Sequence, residues 1–320
     1  MSKRSWFWLV FGAGLLIRMY GIGNPLLDNH AWRQVDTASM AANFLEYGFL
    51  PPVPQLNYDG PPPNYAELEF PMVPLLVAAA WSLFGKSDLL ARVVVLLFSG
   101  GTLVLIYLCG KQLYDATSGI LAMAFFSVNP LAIYYGRTVM PDSAMLFFMC
   151  VSLFFCLRWY ASHTWRDLVL SAAGFALAVL AKLPGLLIAV PILILALQRF
   201  RQRLFITREF WLFAVIGLLP PLAYYWSAHI IAANQLVSSI VQSQISLQLP
   251  GYDYLSKKLA RLVTQPLIIV AGFGIFARRA FAGNAMFWGW ALVMLIYTVT
   301  VGARIQLEYY LLPLLPLLCL

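Results

Sequence analysis

The chain has 320 residues, 62% hydrophobic and 11% charged, with a mean hydropathy of +0.79. A soluble fold of this size would carry far more surface charge, so the composition excludes a water-soluble domain and fits an all-α polytopic membrane protein. The net charge of +8 does not argue for nucleic acid, because much of it sits in short turns between apolar runs, where Lys and Arg set membrane orientation.

The first apolar run, residues 6–23, follows Lys3 and Arg4, contains Arg18 and lacks a small-residue cleavage site, so it reads as a retained first span and not as a signal peptide. Directly behind it, LLDNHAWRQVDTASMAANFLEYG crowds Asp28, His30, Arg33, Asp36 and Glu46 together. Val35, Ala38, Ala42 and Leu45 form a thin apolar stripe and Gly48 is a C-cap, which predicts an interfacial helix over about residues 31–47. Arg33 and Asp36 share a face of it at i, i+3, and the bland alternative is a solvated helix with a local ion pair. Pro51 to Pro63 is a proline-rich extended connection, after which Glu67 and Glu69 form a second acidic group just before Pro71.

The next apolar stretch, residues 70–85, decides the topology. Fifteen or so helical residues reach only about 23 Å, short of a hydrocarbon core of about 30 Å. If this stretch lies on the membrane surface, the inner loops collect Lys111, Arg158, Arg166, Arg199, Arg201, Arg203, Arg208, Arg278 and Arg279, the positive-inside pattern. If it spans, the arginine-rich RFRQRLFITRE turn lands outside. The expectation is therefore a second interfacial helix over 70–85 and a cytoplasmic N-terminus.

Further spans are predicted over 90–110, 116–135, 142–160, 168–181, 185–197, 210–226, 266–277, 285–301 and from Tyr309 onward, about ten in all with the first. Residues 1–320 read as one transmembrane domain, with outer loops at 24–89 and 228–265. The chain stops inside the apolar LLPLLPLLCL, as expected of a truncated chain. Cys109, Cys150, Cys156 and Cys319 lie in apolar segments without ligand spacing and read as small buried hydrophobes.

This topology gathers the polar segments on one outer face. In GRTVMPD, Arg137 and Asp142 sit at the outer ends of two successive spans. Asp142 after Pro141 also suits a helix N-cap, and Arg137 could snorkel. Lys182, in AVLAKLPGLLI, interrupts an apolar hairpin beside Pro184 and Gly185, where an ionisable group is an anion-binding or pathway candidate. GARIQLEYY brings Arg304, Glu308, Tyr309 and Tyr310 to a span mouth. Such a face suits a lipid-borne anion and a water-side reaction partner, with cations for phosphate and a carboxylate as base.

The strings HAWRQVDTASMAANFLEYG, ELEFP, YYGRTVMPD, LAKLPG and LEYYLLPLLP resemble the glycosyltransferase family 39 group of integral membrane transferases, related to protein O-mannosyltransferases and the lipid A aminoarabinose transferase. The resemblance runs nearly end to end. It implies a GT-C fold with juxtamembrane helices in the first outer loop. It also implies inverting transfer of a sugar from a polyprenyl-phosphate donor to an acceptor on the outer face of the cell (inner) membrane. By the same resemblance Asp36 is the catalytic base, Glu69 and Asp142 are site acids, and Lys182 and Arg137 are cations near the donor phosphate. Many relatives carry an acidic pair where Asp36 is followed by Thr37, and a lysine where this chain has Phe70, so Arg33 or His30 would take over phosphate contacts. No metal or other cofactor is expected. The alternative reading, a lipid or anion transporter, rests on Lys182 and the broken hairpin; it predicts two related halves, which the sequence lacks.

Overall fold

The computed structural model describes residues 2–57, 62–232, 261, 263–274, 283–302 and 305–320. Most of the expected outer loop 228–265, together with Arg278, Arg279 and Arg304, lies outside the described residues. The elements run α1 (Lys3–Met19), α2 (Ala31–Tyr47), α3 (Met72–Phe84), α4 (Asp88–Leu113), α5 (Ala116–Val128), α6 (Pro130–Tyr135), α7 (Asp142–Ser162) and α8 (Trp165–Ala181). They continue through α9 (Ala189–Phe200), α10 (Arg208–Ile231), α11 (Gln265–Gly274), α12 (Gly283–Tyr297) and α13 (Leu315–Cys319). Tight 3₁₀ turns over Leu183–Ile188, Arg201–Ile206 and Glu308–Leu314 join some of them.

Five helical stretches among the described residues are long and apolar enough to cross a membrane: Asp88–Leu113, Asp142–Ser162, Leu183–Ile206, Arg208–Ile231 and Asn284–Val301. α3 is not among them. Its 13 residues rise only about 20 Å. It buries Val73, Pro74, Val77, Ala78 and Trp81, packing between α2 and α4.

The single span expected over 116–135 is broken in two. Pro130 has no N–H to continue α5, and Asn129 turns the chain, its side-chain oxygen accepting from the N–H groups of Leu131 and Ala132 to cap α6. α2 matches its expected bounds, and Gly48 closes it at φ +96°. Its buried face differs, however. Gln34, Thr37, Met40, Ala41, Asn43 and Phe44 turn inward, while Val35, placed on the apolar stripe by spacing, is 40% exposed. Gln34 and Asn43 have specific partners outside the helix, described below, and these outweigh the weak stripe in setting the rotation of α2.

The proline-rich connection folds back on itself. Leu56 N–H donates to Asn64 O at 3.0 Å and Ala66 N–H to Pro54 O at 2.9 Å. Asn43 ties this hairpin to α2 by donating to Gln55 O at 2.9 Å and to Asn57 Oδ1 at 2.7 Å. Met40, Leu56, Ala66 and Leu68 close a small apolar core beneath it.

The bundle is built on close helix contacts at small residues, as expected where lipid supplies no hydrophobic drive between helices. α7 and α8 meet where Ser152 Oγ donates to Ser171 O at 2.9 Å and Ser171 Oγ returns a bond to Ser152 O at 2.8 Å. A Cβ on Gly174 would sit 2.8 Å from the Ser152 backbone nitrogen. Gly174→Leu is therefore expected to disrupt the bundle, giving aggregated protein on size-exclusion chromatography in detergent. Gly12→Leu, at a site with nothing within 4 Å of the added carbon, should stay monodisperse.

Candidate functional site

The described site is assembled from five chain segments: the start of α2, the ELEFP run, the loop into α7, the turn after α8, and the 3₁₀ turn Glu308–Leu314. ELEFP is fixed from both sides. Phe70 N–H donates to Leu180 O at 2.9 Å, and the Tyr224 hydroxyl of α10 reaches Leu68 O at 3.3 Å and Glu69 O at 3.2 Å. This holds Glu69 against α2, where its carboxylate accepts a hydrogen bond from the Arg33 guanidinium. Glu67 instead faces α10 and meets His229 Nδ1 at 3.0 Å.

Lys182 ends α8 in an extended conformation, because Pro184 and Gly185 begin a 3₁₀ turn behind it. Its Nζ donates to both carboxylate oxygens of Asp142, at 2.8 and 2.9 Å, with side-chain exposures of only 12% and 2%. The N-cap position expected for Asp142 is held by Pro141. Asp142 is the first helical residue and makes no cap bond; its carboxylate turns to the lysine instead. The ammonium also lies 4.1 Å from the centre of the Tyr309 ring and 5.2 Å from that of Tyr310. His30, at φ +59° where α2 begins, stands edge-on to Tyr309 with ring centres 5.4 Å apart.

The charges of this cluster act on one another. Burial works against the Arg33 cation, but Glu69, then Tyr309, Asp142 and Asp36, outweigh it and raise its pKa. Burial likewise works against the Glu69 carboxylate, and Arg33 and Lys182 more than offset this, so its pKa is lowered. Asp36 behaves differently. Half-buried and without an ion-pair partner within 4 Å among the described residues, it is pushed above the ordinary carboxylate range by burial, which the nearby Arg33 only partly opposes. The local Arg33–Asp36 ion pair does not form, because Arg33 is taken by Glu69.

Arg137 belongs to an adjoining cluster. It is buried and not snorkelling, with Nη1 donating to Gly21 O at 3.0 Å and lying 3.3 Å from Asp28 Oδ2. The same carboxylate oxygen pairs at 3.3 Å with Arg92, which is 0% exposed and also donates to Asn24 O, Pro25 O and Arg137 O. Gln34 donates to Asp28 and accepts from Val139 N–H at 3.2 Å, joining this cluster to α2 and the GRTVMPD loop.

Arg33, Glu69, Asp142, Lys182 and Tyr309 are thus brought together, with Asp36 and His30 beside them. Arg137 stands behind with Asp28, Glu308 opens the 3₁₀ turn that carries Tyr309, and Arg304 is outside the described residues. Sequence reading missed Arg92 and Gln34. An arginine one turn into a long apolar helix was the available signal for Arg92. Among the described residues, no three His, Cys, Asp or Glu side chains converge as a metal-binding set.

The all-helical polytopic bundle has the GT-C fold. Residues 63–226 match the family described as Dolichyl-phosphate-mannose-protein mannosyltransferase. That is half of the chain, and the chain belongs to this family as a multi-pass membrane protein. Among solved structures, ArnT from Cupriavidus metallidurans bound to undecaprenyl phosphate is similar at a TM-score of 0.75 and 16% identity, covering 99% of this chain and 59% of that one. The archaeal oligosaccharyltransferase AglB from Archaeoglobus fulgidus, in complex with an inhibitory peptide and a dolichol-phosphate, is similar at 0.61 and 14%, covering 99% and 50%. The chain therefore spans less than two thirds of either relative. No curated protein sequence gives a significant match.

Removing one partner of a buried pair strands the other charge at a cost of about 3–5 kcal/mol. Lys182→Met is accordingly expected to lower the thermal midpoint in detergent sharply. The double variant Lys182→Met, Asp142→Asn should regain most of that loss, which a melting series on the four proteins would measure.

Proposed function

We propose that the protein transfers a sugar from a polyprenyl-phosphate donor to an acceptor on the outer face of the cell (inner) membrane, with inversion. The observation that carries this reading is the half-buried, cation-flanked Asp36 beside the paired Arg33–Glu69 and Lys182–Asp142 charges. Asp36 takes the proton of the acceptor nucleophile as its heteroatom bonds to the sugar anomeric carbon. The bond from that carbon to the phosphate oxygen breaks, and the electron pair leaves with the phosphate. Lys182, whose third N–H is not used by Asp142, and the remaining guanidinium donors of Arg33 take up the charge developing on that leaving group. Arg137, held by Asp28 and Gly21 O, keeps the loop carrying Asp142 in position. His30 packs against Tyr309 and orients the ring under the lysine.

A carboxylate base works ionised, so activity falls as pH drops through its pKa. Because burial raises that pKa, the acid limb of kcat/KM in the full-length protein should lie above the ordinary aspartate range. Asp36→Asn should lose about 10²–10⁴-fold in transfer rate and abolish this limb. Undiminished turnover in that variant would overturn the role of Asp36. Translocation of labelled carrier without sugar transfer would instead favour a transporter.

The orientation rests on the basic turns at one end of the bundle, which the positive-inside tendency assigns to the cytoplasm together with the N-terminus. α2 and α3 then lie along the outer surface. A cysteine replacing Gln202 is expected to resist an impermeant thiol reagent added to intact cells, and to react once the membrane is opened; labelling of intact cells would reverse the topology.

A further inference from the structure

α8, α9 and α10 enclose a cavity of about 340 Å³. It runs from Leu186, four residues past Lys182, to a basic rim at the other end of the hairpin. Its walls include Phe175, Val190, Leu193, Ala196, Phe213 and Leu218, and it runs along α9 toward the turn that leads into α10. Lys182 and this turn lie at opposite ends of the α8–α9 hairpin, and the 17 residues of α8 alone account for about 25 Å of separation. The volume falls in the range of small-ligand sites, and walls with almost no polar partner disfavour water as the occupant.

The rim supplies what an anion needs. The Arg199 guanidinium lies 5.1 Å from the ring centre of Trp159 and 5.2 Å from that of Phe200, two residues that also line the cavity. Its Nη1 donates to Tyr160 O at 3.4 Å and lies 3.2 Å from His163 Nε2, while its buried Nε has no hydrogen-bond partner. Arg201, Arg203 and Arg208 are exposed on the same turn. Two carboxylates lie nearby. Glu209 lines the cavity, and Asp167 is already paired with Arg158 at 3.3 Å. The rim remains net positive.

We propose that this groove binds one anionic diacyl phospholipid, an acyl chain filling the cavity and the phosphate held by Arg199 and its neighbours. It would be a second lipid site, in the leaflet opposite the charged reaction face and independent of the function proposed above. Basic pockets between spanning helices suit such headgroups, and a guanidinium already stacked on the cavity wall needs little reorganisation to meet one.

Native mass spectrometry of the full-length protein released from detergent would test it, with palmitoyl-oleoyl phosphatidylglycerol, the phosphatidylcholine of identical chains, and undecaprenyl phosphate as probes. Phosphatidylglycerol is expected to bind about tenfold more tightly than phosphatidylcholine. Ala196→Trp, which fills the cavity, should remove phosphatidylglycerol binding. Arg199→Gln with Arg203→Gln and Arg208→Gln, which leaves the apolar walls unchanged, should erase only the headgroup preference. Equal binding of the two phospholipids, or a preference kept intact in the triple-glutamine variant, would overturn the proposal. Undecaprenyl phosphate competing for the cavity with the higher affinity would make the cavity part of the carrier site and overturn it as well. Should Ala196→Trp fail to fold, the triple variant and the competition still decide the outcome.

Discussion

An ionised group inside an apolar bundle must be paired or hydrogen-bonded, because leaving it bare costs several kcal/mol. Much of this structure follows from how its buried arginines meet that demand. Arg18, near the end of α1, donates to Gly14 O, Ser99 Oγ, Ser127 O and Phe126 O, so one guanidinium binds α1, α4 and α5 together. Arg92 and Arg137 find too few carbonyls and share Asp28, drawing the first loop down onto α4 and the loop before α7. Gln34 completes the join and thereby fixes the rotation of α2.

That rotation determines which α2 side chains meet the charged cluster. With Gln34, Thr37 and Asn43 turned inward, Arg33 falls against Glu69, and Asp36 remains half-buried beside it. The carboxylates here sit in unequal environments. Lys182–Asp142 is nearly enclosed and stacked on Tyr309, whereas Asp36 has no ion-pair partner within 4 Å among the described residues and is held only by the field of Arg33. Burial raises the Asp36 pKa, whereas Arg33 and Lys182 lower that of Glu69, and this difference is what the proposed function uses in taking Asp36 as the base.

Charge is divided along the bundle. In the charged cluster around Lys182 acids and cations interleave and largely neutralise each other. At the Arg199–Arg208 turn the cations outnumber the acids and lie exposed around an apolar cavity. The first arrangement suits a reacting anion that must be bound and released, the second a resident anion held by chain burial and diffuse charge together.

The sequence by itself determined the class of protein, the order of helices and the bounds of α2, because long apolar runs, glycine C-caps and charge asymmetry act locally and need no partner. It also marked Asp36, Glu69, Asp142 and Lys182, since charged residues at the edges of apolar runs demand a reason. Only the tertiary structure decided the pairings. Arg33 chose Glu69, 36 residues away, over Asp36 one helical turn away, and Asp142 chose Lys182 over its own helix cap. Arg137 was drawn inward by Asp28 because Arg92, unremarked in its apolar helix, shares that carboxylate. Local spacing lists the charges a segment offers; which of them meet is fixed by how the helices bring distant segments together and by the cost of leaving any buried charge unpaired.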